Sequence, residues 1–395
     1  MSSETSTRPR LRAVMREGET VTSLELFFDL VFVLALTQCT TLVAVHATWL
    51  RLAHAILILA VLWWSWVGYA WLTSVVNPEE GAARLVIFAA MAGLLVAAIS
   101  VPGAFAADAL TFAVAYAVVR AAHIALFLLA SRENPGLRRS VNGLAVSTTI
   151  GVVLLLAAAF VPSGVRVALW IAAIVIDAAG PYFFGADGWT LVPGHFAERH
   201  GGLIIIALGE SIIAIGAGAT GHVDAGVIVA ALLGMVVAGG LWWTYFDVVA
   251  IVAERRLIRA QPGRERNEIA RDSYSLLHFP MIAGIALVAV GLKKSFGHIS
   301  EPLGAVSATA MIGGAALYML AHIAFRWRNI HTLNRQRLVA FVALLVLLAL
   351  DLALTPEALV TIAMLAAVLT ALIVYEVLRF AEMRDRVRHL EPLES

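Results

Sequence analysis

Seven residues stand where an apolar chain least tolerates them: Glu25, Asp29, Arg120, His123, Glu210, Ser211 and His322. A charge in the middle of a bilayer costs at least ~2.5–3.5 kcal/mol, so an acid or guanidinium kept there needs a reason. Carboxylates can take up a proton, a cation or a cationic group. A nearby arginine would set their charge and affinity, and imidazoles can relay protons. Around Glu25 the chain reads Thr22-Ser-Leu-Glu25-Leu-Phe-Phe-Asp29. At ~100° per residue, Thr22, Glu25, Asp29 and Thr40 share one narrow helical sector, while Gln38 points away. One reading is an acidic stripe running into the membrane. The other is a helix start, because Thr22 and Glu25 have capping-box spacing; Asp29, a turn deeper, escapes that explanation.

Glu210 and Ser211 lie inside an otherwise apolar run, with Ala214 and Ala217 continuing the Glu210 face and Gly216 and Gly218 beside it. Small residues there permit close helix approach or leave room for a ligand. Tyr116, Arg120 and His123 fall on one face, and Tyr318, His322 and Arg326 form a similar stripe. Arg120 is too costly to bury alone, and Asp29 or Glu210 is its expected partner, with Asp177 the third candidate. Asp177 and Asp247 are expected to be solvated near helix ends. The Trp63–Trp66 and Trp242–Trp243 clusters are expected to pack, with an aromatic cage for an organic cation as the sharper alternative.

Enzyme signatures are missing: no phosphate-binding Gly loop with Lys, no HExxH, no nucleophile elbow. One cysteine, Cys39, excludes an intramolecular disulfide and a cysteine-based zinc site. No catalytic residue, cofactor or metal site is therefore assigned. No block of basic and aromatic residues suggests nucleic acid.

The elements that must hold these residues are membrane helices. The 395 residues are 61% hydrophobic and 14% charged, about half the charge of an ordinary soluble domain. Such a chain cannot cover itself with polar surface, so its partner is a lipid bilayer. Apolar runs near 20 residues long predict an all-α fold of about twelve transmembrane helices. They lie near 22–45, 50–74, 84–101, 104–131, 139–161 and 165–185, then 202–219, 223–249, 273–292, 304–327, 338–354 and 357–380. No cleavable signal peptide is expected in the Arg-rich opening. Loop charges favour cytoplasmic termini: Arg8 to Arg16, Arg132 to Arg139, Arg255 to Arg271, and Arg326 to Arg337 would all face inward. The segment 254–272 is expected to be a solvated helix or linker, and 1–20 and 381–395 cytoplasmic ends.

Two parallel six-helix repeats are expected, over 21–190 and 191–380. Trp63-Trp64-Ser65-Trp66 matches Trp242-Trp243-Thr244-Tyr245, Phe88 to Gly93 matches Phe279 to Gly284, and Ala122-His123-Ile124-Ala125 recurs as Ala321-His322-Ile323-Ala324. The matches keep their order, with offsets growing from 179 to 199. Parallel repeats with a site between them occur in transporters.

Leu24-Glu25-Leu26-Phe27-Phe28-Asp29-Leu30-Val31-Phe32-Val33 resembles the opening signature of the bacterial low temperature requirement protein A family. Glu198-Arg199-His200-Gly201 followed by Ile205 to Ile213 resembles its second. The likeness extends over essentially the whole chain. It implies a multi-pass bacterial inner-membrane protein and draws attention to Glu25, Asp29 and Glu210. A weaker likeness joins Phe28-Asp29 to endolysosomal potassium channels with a Phe-Ser-Asp motif, but the Ser is missing and Gly202 stands where a second Asp would be needed. The expected function is transport or permeation of a proton, cation or small cationic solute. The alternatives are a lipid-modifying enzyme using Glu210 with His123, or a membrane sensor or scaffold. The sequence leaves room for a homo-oligomer.

Overall fold

The computed structural model describes residues 20–183, 188–218 and 224–389, which form helices, turns and loops without a strand. Eleven of the described helical stretches are long and apolar enough to cross a bilayer, and Ala83–Ile99 is a shorter apolar helix beside them. The chain is a multi-pass membrane protein. The helices are α1 (Ser23–Val45), α2 (Trp49–Val75), α3 (Gly81–Ile99), α4 (Ala109–Ala130), α5 (Pro135–Ala158), α6 (Ser163–Phe183), α7 (Pro193–Gly218) and α8 (Ala225–Phe246). The chain continues through α9 (Val249–Arg259), α10 (Arg264–Ile269), α11 (His278–Phe296), α12 (Ala305–Ala308), α13 (Gly314–Ile330), α14 (Arg335–Leu354), α15 (Ala358–Arg379) and α16 (Ala381–His389).

Helix starts are fixed by short polar side chains satisfying the first free N–H groups. Thr22 caps α1 and forms the full capping box with Glu25. Asn134 caps α5 just before Pro135, and Asp224 caps α8. Most predicted spans agree with these bounds to within a few residues. Helix α7 does not: it begins at Pro193, well before the expected 202. Its first turns carry His195, Glu198, Arg199 and His200, which depress local hydropathy; His195, Arg199 and His200 are buried, while Glu198 stays exposed.

The centre of the bundle is formed by α2 and by the spans Arg264–Phe296 and Ala305–Ile330. Each has 72% of its apolar window buried, against 22% for Ser163–Phe183, which therefore lies at the periphery. Helix α11 approaches α13 without intervening side chains. A Cβ on Gly284 would lie 2.6 Å from the Gly314 carbonyl oxygen and 2.9 Å from Tyr318 Cβ. Helices α1, α2, α7 and α11 meet at the middle, and α1 touches α2, α3, α7 and α11.

Two π-helical turns, Ala270–Leu276 and Thr309–Gly313, interrupt the α10–α11 and α12–α13 rods. Pro280 explains part of the first, since it brings no N–H to the preceding turn. The Ser275 carbonyl instead accepts the Trp63 indole N–H at 2.8 Å, and the Ser273 carbonyl bonds the His278 ring at 3.0 Å. The segment expected as a solvated helix or linker is helical and half packed: Leu257, Ala260 and Ile269 are buried, while Arg264 and Glu268 pair on the outside. Asp247 is not solvated as expected. Its carboxylate is 8% exposed and paired with Arg384, 2.8 Å away, and with Arg388 of α16. The segment 1–19 and residues 390–395 lie outside the described residues.

Candidate functional site

Glu25 and Asp29 come together with partners from α2 and α7. Arg199 donates one terminal nitrogen to Glu25 Oε1 at 3.1 Å and the other to Asp29 Oδ1 at 2.6 Å. It also donates to Thr73 Oγ1 at 2.9 Å, and its guanidinium carbon lies 5.4 Å from the centre of the Trp66 ring. The Trp66 indole N–H donates to Asp29 Oδ1 at 2.7 Å. The His195 ring reaches Glu25 Oε1 at 2.9 Å through Nε2 and Ser74 Oγ at 3.2 Å through Nδ1. Glu25, Asp29, His195 and Arg199 are each no more than 2% exposed. The helix-start reading of Glu25 holds: Oε2 accepts from the Thr22 backbone at 2.8 Å, closing the capping box, while Oε1 faces an ion pair with Arg199. Trp63, Trp64 and Trp66 pack in the core as expected, and Trp63 and Trp66 also donate indole hydrogen bonds to the Ser275 carbonyl and to Asp29.

Further along the same α1–α7 interface lies Glu210, fully buried. Thr40 donates to its Oε1 at 2.6 Å, and Thr37 donates to Oε2. Thr40 Oγ1 also lies 2.9 Å from the Thr37 carbonyl, so its single proton serves one of the two acceptors at a time. No Lys, Arg or His among the described residues forms an ion pair with Glu210. One helical position on, Thr41 accepts from Lys293 of α11 at 2.8 Å. Ser211 is buried, its hydroxyl without a hydrogen bond. Asp29 and Thr37 are eight positions apart, ~12 Å along the helix axis. The stretch between the two polar groups is filled by Phe32 and Leu36 of α1 and by Leu203 and Ala207 of α7, all buried.

Arg120 is not paired with Asp29 or Glu210, the expected partners. Its carboxylate is Asp177, the third candidate, whose two oxygens both lie 2.9 Å from the same terminal nitrogen. Thr148 of α5 bonds both groups, so α4, α5 and α6 are tied together. Asp177 is accordingly buried, not solvated. Asp29 is simply nearer to Arg199, and Gly151 and Gly180 leave α5 close enough to α6 for Asp177 to reach Arg120. His123 is 1% exposed, and neither ring nitrogen makes a well-formed hydrogen bond. His322 lies elsewhere. Its Nδ1 is 3.1 Å from Arg337, which also pairs with Glu376 at 3.0 Å and links α13, α14 and α15. Arginine has no acceptor, so Nδ1 of His322 must be the accepting nitrogen.

The seven predicted residues therefore occupy three places: Glu25, Asp29, Glu210 and Ser211 on the α1–α7 seam, Arg120 and His123 among α2 and α4–α6, and His322 beside Arg337. Sequence reasoning missed Arg199 and His195. The signal was the Glu198-Arg199-His200 motif, read as a loop flank because its charge lowers hydropathy.

The pattern of the family described as Bacterial low temperature requirement A protein (LtrA) matches residues 20–374. The chain belongs to this family. An uncharacterized protein of Rhizobium meliloti (strain 1021) is 30% identical over 307 residues, covering 75% of this chain and 74% of the relative. No solved structure is a significant match. The LtrA match spans both the Glu25–Asp29 segment and the Arg199–Glu210 segment, on the two helices of the seam.

Proposed function

We propose that this LtrA-family chain is a permeation or transport protein for a proton or small monovalent cation, with Glu210 as the binding carboxylate. One observation carries the reading. Arg120, Asp177, Glu25, Asp29, Arg199, Arg337 and Glu376 each have an oppositely charged partner within 4.0 Å, whereas among the described residues Glu210 is held only by threonine hydroxyls. A buried carboxylate without compensation is expensive. A proton or a cation taken up from solution would compensate it, and Thr37 and Thr40 supply oxygen atoms beside it. The apolar fill around Phe32, Leu36, Leu203 and Ala207 separates Glu210 from the Arg199 cluster, as a closed gate would. Opening would require α1 and α7 to shift at that plug.

Orientation with both termini in the cytoplasm follows from the loop-charge asymmetry and belongs to this proposal. So does the twofold build. It is supported by a shared packing order: α1 lies against α2 and α3, and α7 against α8 and α11. Likewise α3 meets α4 and α2 meets α6, as α11 meets α13 and α8 meets α15. Under that reading the seam runs between the first helices of the two halves.

Purified protein reconstituted in liposomes tests the function. A pH- or cation-sensitive dye should report flux driven by an imposed gradient. Glu210→Gln should abolish it, Glu210→Asp should retain part, and Thr37→Val with Thr40→Val should lower it at least tenfold. Full flux in Glu210→Gln, or none in the wild type for protons, sodium and potassium alike, would reject the assignment.

A further inference from the structure

Away from the seam, a cavity with about 700 Å³ of empty space, some of it open to the outside, lies between α2, α4, α5, α6 and the π turn before α11. As a cavity it encloses only about 70 Å³, room for a head group rather than a whole ligand, and the rest opens outward. Small-molecule sites are typically apolar with a few placed polar groups. The walls fit this description. Trp64, Trp71, Phe127 and Trp189 supply aromatic surface, and Leu144 adds to it from α5. The polar lining includes Arg120, His123 and Arg271.

Two of these polar groups point to an absent ligand. Both ring nitrogens of His123 and the Nε of Arg120 are buried without a hydrogen-bond partner, and buried polar groups left unmade are rare and costly. Gly68 keeps them at the cavity wall: a Cβ there would stand 2.9 Å from His123 Cε1 and Nε2 and 3.0 Å from Arg120 Nη1.

Charge decides what the cavity would take. The carboxylates closest to it are already engaged. Asp177 accepts from Arg120 and Thr148, and Asp272 sits between Arg271 at 2.7 Å and Arg328 at 2.9 Å. Two guanidiniums against one carboxylate leave the Arg271 end with an excess positive charge. Arg271 binds Asp272 through Nε and stacks 3.7 Å over the Tyr182 ring, and it lines the cavity. Apart from the acceptor nitrogen of the His123 imidazole, the available groups are donors in an aromatic, apolar chamber. A cation would meet only spent carboxylates.

We infer that this cavity binds a single-headed organic carboxylate with an apolar body, its head toward Arg271 and His123 and its body against Trp64, Trp71 and Phe127. The inference does not rest on the Glu210 reading. The same chemistry could reach the cavity from the bilayer as a fatty acid or from water as an aromatic acid.

Isothermal titration of the full chain in phosphatidylcholine nanodiscs distinguishes the two sources. The probes are oleate and 2-naphthoate, each against its neutral counterpart, oleyl alcohol and 2-naphthylmethanol. At least one acid should bind saturably and at least tenfold more tightly than its alcohol. Binding of oleate alone assigns the site to a membrane-borne ligand, and binding of naphthoate alone to a water-borne one. Arg271→Gln should bring the acid-to-alcohol ratio near one, and Leu144→Trp should abolish binding by filling the chamber. Should Leu144→Trp fail to fold, His123→Phe takes its place, with an expected tenfold weakening of the acid. Glu210→Gln should bind like the wild type. The inference is overturned if neither acid exceeds its alcohol tenfold, or if Arg271→Gln keeps the preference.

Discussion

Replacing Arg199 by Met would leave Glu25 and Asp29, both almost fully buried, without the guanidinium that joins them. Removing one partner from a buried ion pair costs roughly 3–5 kcal/mol, mostly as the penalty of the stranded charge. Two carboxylates are stranded here, so the upper half of that range applies, about 4 kcal/mol or close to a thousandfold in the folding equilibrium. Asp29→Asn should be far milder. The amide oxygen can still accept the Trp66 N–H, and Arg199 keeps Glu25 and Thr73, so the loss is that of one charge-assisted hydrogen bond, about 1.5–3 kcal/mol. Combining Glu25→Gln, Asp29→Asn and Arg199→Met removes every charge of the carboxylate–guanidinium pair. This triple variant should recover to within about 1–2 kcal/mol of the wild type, because burying the pair itself contributes little net stability. Equilibrium unfolding by dodecyl sulfate in mixed micelles, with the denaturant slope checked for each variant, gives the four values. The reasoning fails if Arg199→Met is as stable as the wild type, or if the triple variant is no better than Arg199→Met alone.

Arg120 and Asp177 should behave in the same way: Arg120→Met alone costs about 3–5 kcal/mol and Arg120→Met with Asp177→Leu recovers most of it, read by the same unfolding assay. At the α11–α13 crossing, Gly284→Ala should cost about 1–3 kcal/mol through overpacking against the Gly314 carbonyl. Gly239→Ala, with nothing within 4 Å of the added Cβ, should be neutral or stabilising by about 0.5–1 kcal/mol. Cys39 is 3% exposed and should resist a water-soluble maleimide until the protein is unfolded. In a Cys39→Ser background, Thr332→Cys should be labelled in inside-out vesicles and protected in intact cells, and the reverse pattern would invert the proposed topology.

The helical membrane fold was legible because hydropathy and length report the cost of burying backbone and charge, a cost paid residue by residue. Glu25, Asp29 and Glu210 stood out on the same ground. Their partners did not. Asp177 looked like a helix-end acid because its span is close to the membrane edge in sequence, and only the packing of α5 on α6 turns it toward Arg120. Thr37 and Thr40 carry no charge and are unremarkable in any apolar helix, yet among the described residues they are the only groups seen to hold Glu210. Arg199 was hidden by its own chemistry: the polar residues that pair with α1 made the first turns of α7 look like a loop. Helix–helix pairing is decided by side-chain matches across long sequence separations, which one-dimensional patterns do not encode.

The two π turns have a consequence for how this chain tolerates change in length. Each accommodates one residue more than the α-helix around it would, so the segments before and after it are phased independently. Before Ala270–Leu276 the rod presents Arg264 and Glu268 outward; after it, His278, Ile282 and Ile285 face the packed interior. Deleting a single residue within such a turn would let it close into ordinary helix while both flanks keep their faces. Elsewhere in α11 or α13 the same deletion would rotate everything beyond it by about 100° and carry Gly284 or Gly314 off the crossing point. The turns thus act as local buffers of helical phase, placed on the two rods whose mutual approach leaves the least room for error.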